Sequence, residues 1–325
     1  MKRFTVSILA GLVVAVLVSL IPSVYAAEYP NRDIRFIVPY GPGGGSDPIS
    51  RQFSKQLASI FGSNVNVENK PGGSATIGIS MTVKADPDGY TIGHGTNNGL
   101  AYQPLVNPDL PYKTPDDYQS IVKQADVPIV LAVRADAPWK TFQEFMADVK
   151  KNPGKIRVSN SGMRATPDLN IQLLNMVAGT KIVSVPFTGG GGEALLALMG
   201  GRVEASATVS IGAQGHVKAG TVRVLAVFSK KRYAPYPDAF TAIEAGYDVA
   251  LPTLYCVIGP KGMPKNVQDK LFPASMKVIR SEEYRIFADK LGYAVDPETS
   301  PEALKEELVQ YTKRYKDLIK FMDQK

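Results

Sequence analysis

The segment Val38-Pro39-Tyr40-Gly41-Pro42-Gly43-Gly44-Gly45 returns, with changes, as Val185-Pro186-Phe187-Thr188-Gly189-Gly190-Gly191-Gly192. Each copy follows a short apolar run and leads into a stretch of helical apolar spacing, so each reads as strand, glycine-rich turn and helix. Two lobes built on one plan account for the echo; a chance likeness of glycine-rich turns is the alternative. Around it, residues 34–39, 65–68, 90–95, 129–133, 156–159, 182–185 and 222–228 read as strands. Residues 47–61 read as a helix with Ile49, Phe53, Leu57 and Ile60 on one face. Ser46 or Asp47 can cap it, and Pro48 suits its first position. At the far end Ser300 and Pro301 open an amphipathic helix carrying Leu304, Leu308, Tyr311, Tyr315, Leu318 and Met322. Its heptads are too few and imperfect for a dimerising coiled coil, and a monomer is expected. Strands alternating with helices throughout predict an α/β architecture.

Lys2 and Arg3 precede an apolar stretch over residues 4–21, and small residues end at Ala26. A charged start, an apolar run and a small-x-small exit describe a secretory signal peptide over residues 1–26. The rival reading, a membrane anchor, is disfavoured by the small residues at the cut and the polar stretch 28–33. Export to the periplasm with cleavage near Ala26 is therefore expected. No later segment is apolar enough for a membrane span, and the remaining length suits two domains. Cys256 is the lone cysteine, so packing rather than a disulfide must hold the lobes together. The chain has 37 basic and 30 acidic side chains, and losing Lys2 and Arg3 leaves 35 against 30, a net +5. These charges are scattered without the basic stripe that nucleic-acid binding wants, so no nucleic-acid partner is expected.

Glycines between a strand and a helix let the backbone approach a ligand, and the helix start offers unpaired N–H groups with partial positive charge. Residues 43–47 and 188–192 thus read as two halves of an anion cradle that needs no Lys or Arg. In open α/β sheets, such loops lie beyond the carboxyl ends of strands, where ligands bind. The first loop lacks the Gly-x-Gly-x-x-Gly spacing followed by an acidic residue ending a second strand, and no Gly-Lys-Ser/Thr occurs. Enzyme readings find little support, since there is no Gly-x-Ser-x-Gly elbow. The two histidines, His94 and His216, lack metal-ligand neighbours and read as structural. No metal and no cofactor are expected.

The segments "YPNRDIRFIVPYGPGGGSD", "VNVENKPGGSATIG", "ADPDGYTIGHGT", "PGKIRVSNSG", "IVSVPFTGGGGEALLALMGGRVE", "HVKAGTVRVLAV" and "GPKGMPKNV" occur in this order. In this the chain resembles the substrate-binding proteins of tripartite tricarboxylate transporters, the TctC or Bug family. The resemblance implies a two-lobed periplasmic binding protein (type II-like), each lobe a mixed sheet flanked by helices, with the ligand in the inter-lobe cleft. It implies lobe 1 from residues 27–125 and 255–325, and lobe 2 from residues 126–254. The implied ligand is a small carboxylate, a di- or tricarboxylate or an aromatic acid. The implied partners are integral-membrane transporter subunits.

By matching position, the resemblance puts Tyr40, Gly43, Gly44, Gly45, Ser46 and Asp47 in the first ligand loop, and Phe187, Thr188, Gly189 and Gly190 in the second. Thr96, Asn97 and Asn98, then Asn160, Ser161 and Gly162, match further cleft segments, and Thr208, Ser210 and Tyr255 complete the lining. Thr208 stands where many members carry Asp, which argues against a ligand with a free ammonium group. Arg164, in a departure from the family pattern, can clamp a distal carboxylate or be a solvated loop charge. A ligand-presenting sensor component fits the same features. A periplasmic hydrolase or isomerase acting on a carboxylate is the reading from another class.

Overall fold

A computed structural model describes residues 28–42, 45–187 and 191–324. The expected signal peptide therefore lies outside the described residues, as do Gly43, Gly44, Thr188, Gly189 and Gly190. Among the described residues no helix is long and apolar enough to cross a membrane.

The chain begins with β1 (Ile34–Val38), α1 (Ser46–Phe61), β2 (Val65–Asn69), a 3-10 turn (Gly73–Ala75), α2 (Thr76–Val83) and β3 (Thr91–Thr96). A π-helical turn (Asn98–Tyr102) runs into α3 (Gln103–Val106), and β4 (Tyr118–Val127) follows. The middle comprises β5 (Ile129–Arg134), α4 (Phe142–Lys151), β6 (Arg157–Asn160), α5 (Thr166–Ala178), β7 (Val183–Pro186) and α6 (Gly191–Met199). After it come β8 (Ala205–Val209), α7 (Ser210–Lys218), β9 (Val222–Phe228) and β10 (Phe240–Thr241). The chain returns through β11 (Thr253–Pro260) and ends in α8 (Lys265–Arg280), α9 (Glu282–Leu291) and α10 (Pro301–Asp323).

Two mixed sheets result, which is the predicted two-lobed α/β fold. One has the order β2-β1-β3-β11-β4, the other β10-β9-β5-β8-β6-β7. In the first, β1 lies parallel to β2 and β3, while β11 runs antiparallel to β3 and β4. In the second, β6 is parallel to β7 and β8, while β5 is antiparallel to β8 and β9. The chain passes from the first sheet to the second at Pro128, between β4 and β5, and returns just before β11.

Ile49, Phe53 and Leu57 of α1 are fully buried, each worth about 1.5–3 kcal/mol of transfer free energy. The last helix buries Leu304, Leu308, Tyr311, Tyr315 and Leu318, and Ser300 caps it by accepting from the Ala303 amide. It packs on β4, on the π-helical turn and on α5, so it spans from one sheet to the layer of the other. The sequence reading of α1 needs one correction. Its N-cap is Gly45 without any side-chain cap bond, and Ser46 and Asp47 already belong to the helix. Asp47 instead accepts from Arg51 Nε at 3.0 Å and from Asn69 Nδ2 at 2.9 Å. His94 lies inside β3 and is buried, in keeping with a structural role.

Candidate functional site

The carboxyl ends of β1 and β3 from one sheet and of β6, β7 and β8 from the other meet at one cleft of about 530 Å³. Segments following β1 (Tyr40, Gly41, Pro42), β3 (Asn98), β6 (Ser161, Gly162) and β7 (Gly191, Gly192) line it, as does Val209 at the end of β8. Thr253 and Tyr255 of the returning β11 and Ser74 of the 3-10 turn close the remaining wall. Ligands of α/β sheets bind at such strand ends, and the volume suits a small molecule.

Four helices start at this cleft. Gly45 and Ser46 begin α1, Ala165 to Pro167 begin α5, Gly191 and Gly192 begin α6, and Val209 is the N-cap of α7. For α1, α5 and α7 no side chain caps the first amides. Helices α4, α9 and α10, by contrast, carry Thr141, Ser281 and Ser300 caps that accept from their own first turns. An unoccupied N-cap is not unique to the cleft, because α8 also begins uncapped after Pro264. What is particular to the cleft is the convergence. Each helix start contributes roughly half a positive charge, so four together approach +2. None of the lining residues carries a formal charge, and the undescribed loop residues 43, 44 and 188–190 are glycines and one threonine.

Gly45 illustrates why the first turn needs glycine. A Cβ there would stand 2.9 Å from the Tyr255 hydroxyl, and the Gly45 carbonyl accepts from Tyr293 Oη at 2.6 Å. Burial raises the Tyr255 pKa, with a smaller lowering from its hydrogen bond to Ser46, so the phenol stays neutral. The same holds for Tyr40, whose hydroxyl shares a hydrogen bond with Thr96 Oγ1 at 3.1 Å. Asn69 ties the base of the turn: its Nδ2 donates to the Tyr40 carbonyl and to Asp47 Oδ1, both at 2.9 Å. A residue with two such bonds fixes the loop without touching the cleft.

Of the residues expected at the site, Tyr40, Gly45, Ser46, Asn98, Ser161, Gly162 and Tyr255 line the cleft. The others among the described residues are not part of its lining. Asn97 clasps the returning strand, donating to the Pro252 carbonyl at 2.9 Å and accepting from the Leu254 amide at 3.2 Å. Asn160 Nδ2 donates to Ser184 Oγ at 2.8 Å, while its Oδ1 accepts from the Gly162 amide at 3.0 Å. Ser210 Oγ is bonded to Tyr233 Oη at 3.2 Å, and Phe187 lies under Arg202. Thr208 is buried, with no hydrogen-bond partner for its Oγ1 among the described residues, and that atom lies 3.4 Å from where a Gly191 Cβ would be. Arg164 is exposed, its guanidinium near the Tyr102 phenol, where it offsets part of the rise that burial imposes there. Pattern reading missed Asn69, Ser74, Met163, Thr253 and Tyr293. Only Asn69, at a strand end before Pro71-Gly72-Gly73, had a local signal to find it by.

The family model for the tripartite tricarboxylate transporter family receptor, TctC, matches residues 49–323. The chain belongs to that family. A UPF0065 protein of Bordetella pertussis (strain Tohama I) is 32% identical over 276 residues, 85% of this chain and 84% of that one. A TctC solute-binding protein from Polaromonas, solved without ligand, superposes with a TM-score of 0.75 at 29% identity, covering 90% of this chain and 99% of that one. MatC from Rhodopseudomonas palustris, solved with bound malate, superposes with a TM-score of 0.78 at 25% identity, covering 90% of this chain and all (100%) of that one. This TctC-family receptor is thus a solute-binding protein of the periplasmic type.

Proposed function

We propose that this receptor captures a small carboxylate free of any ammonium group in the cleft between two lobes, and hands it to integral-membrane subunits of a tripartite tricarboxylate-type transporter. The carrying observation is four helix starts meeting in a cleft whose lining has no formal charge. Such a site stabilises one or two negative charges and offers an ammonium no partner. The amides of Gly45 and Ser46 and of Gly191 and Gly192 hold one carboxylate from both sides, and the residues next to them in sequence, Gly43, Gly44, Thr188, Gly189 and Gly190, add to the same site. Pro42, Met163, Ala165 and Val209 face the body of the molecule, and MatC's bound malate is an acid of this class.

In this reading residues 1–26 are removed near Ala26 on export, and the mature protein works as a periplasmic monomer. Residues 27–125 with 255–325 form one jaw and residues 126–254 the other. The ligand touches both jaws only when they are closed, so binding shifts the population toward closure. Nothing in the cycle requires a catalytic step. Thermal-shift screening of organic acids, sugars, amino acids and cationic peptides tests the proposal, since a ligand of the folded state raises Tm. Stabilisation by di- or tricarboxylates or aromatic acids is expected; stabilisation by sugars or cationic peptides alone would overturn it.

A further inference from the structure

The turn between β6 and α5 holds Arg164 at a φ of +59°, a region that favours glycine or asparagine. Among the described residues only Ser74 and Ala75 share this feature without being glycine. Both lie across the cleft, and Ser74 lines it. The Ala165 amide donates to the Gly162 carbonyl at 3.2 Å, closing the turn, and the Arg164 amide donates to Asp168 Oδ2 at 2.6 Å. The Arg164 carbonyl is thereby turned outward, and it accepts from Asn98 Nδ2 at 2.7 Å. Asn98 opens the π-helical turn after β3, which belongs to the other sheet. Its side chain is buried, and its Oδ1 accepts from Gln103 Nε2 at 3.4 Å, which leaves the amide nitrogen directed at Arg164.

From this we infer that Asn98 is a lobe-to-lobe clasp: its side-chain amide and the Arg164 carbonyl hold the cleft closed. Arg164 contributes its backbone to closure rather than its guanidinium. The bond sits where Asn98, Gly162 and Met163 line the cleft, so separating the two sheets there must break it. The inference rests on the proposed closing of two jaws, but not on the chemistry of the ligand. Asn98 is a positioning residue in this account, setting how readily the site assembles.

The test uses ligand-free protein with nitroxide labels on cysteines replacing Ile77 and Leu196, which are exposed (51% and 61%) on opposite sides of the cleft. Cys256 is buried and does not compete for label. Pulsed dipolar spectroscopy then gives the populations of short and long inter-label distances. Asn98→Asp and Asn98→Ala should raise the open-to-closed ratio about three- to tenfold, the scale of one lost hydrogen bond. Gln103→Leu, which frees the Asn98 amide to turn, should raise it in the same direction. Arg164→Gly keeps the carbonyl and relieves the positive φ, so it should not raise the ratio. Circular dichroism identifies any Asn98 variant that does not fold, and the remaining clasp variants then carry the reading. Unshifted distances in the folded clasp variants, or opening by Arg164→Gly as large as by Asn98→Asp, would overturn it. No organic acid is added, so failure of the carboxylate proposal leaves this outcome unaffected.

Discussion

His94 stands in β3 directly behind the cleft wall, its ring 4.8 Å from that of Tyr255 and 6.5 Å from that of Tyr40. Its Nδ1 is shared between Gln124 Oε1 at 2.8 Å and Ser50 Oγ at 3.1 Å, and Nε2 is buried without a partner among the described residues. Burial lowers its pKa from 6.5 to about 4, against a smaller upward push from the Gln124 hydrogen bond. The folded protein therefore prefers the neutral ring, while the unfolded chain takes up a proton near pH 6.5. Stability from this group is complete above pH 6.5 and is lost as the pH falls toward 4. Each pH unit between those two values removes at most about 1.4 kcal/mol, so the loss reaches about 3 kcal/mol by pH 4. Urea melts of the wild type and of His94→Gln between pH 7.5 and 4 isolate it, because glutamine keeps an amide but does not titrate. The stability difference, wild type minus variant, should fall by about 3 kcal/mol across that range. A difference that stays flat with pH would refute the reasoning, and a His94 imidazole, assigned by its loss in His94→Gln, titrating near 6.5 by NMR would refute its premise.

Two further expectations concern packing around the same wall and the crossover. Gly45→Ala forces a Cβ to 2.9 Å from the Tyr255 hydroxyl, so it should cost about 1–3 kcal/mol in a thermal melt. Gly41→Ala, with nothing within 4 Å of the added carbon, should stay within about 0.5 kcal/mol of wild type; equal losses would contradict the contact. Lys123 has an 8% exposed side chain and bridges Asp126 at 2.7 Å and Glu307 at 2.9 Å beside the crossover. Lys123→Met should destabilise by about 1–3 kcal/mol in urea melts, less than for a fully buried pair because both acids stay partly exposed, and neutralising them with Asp126→Asn and Glu307→Gln should return part of it. No recovery would mean that lost packing, rather than stranded charge, sets the cost.

Local patterning carried much of this molecule. Strand and helix periodicity put β1, α1, β5, β9 and α10 within a few residues of their observed bounds, because an amphipathic face repeats at a fixed spacing whatever it packs against. The described ends of the glycine echo, Tyr40 to Pro42 with Gly45 and Gly191 with Gly192, likewise line one cleft, since strand–glycine–helix is a local pattern. Neither signal reaches β4 or β11. Lys123 and Gln124 interrupt the apolar run of β4, and their burial is made tolerable by partners distant in sequence, Glu307 and His94. The helix starts of α5 and α7 joined the site only through the tertiary fold. So did the Asn69 tie, the Tyr293 contact to Gly45 and the bond from Asn98 to Arg164, whose partners lie 29, 248 and 66 residues apart. Spacing along a chain sets which face a side chain takes; which two faces meet is decided by how the sheets pair and where the chain crosses between them.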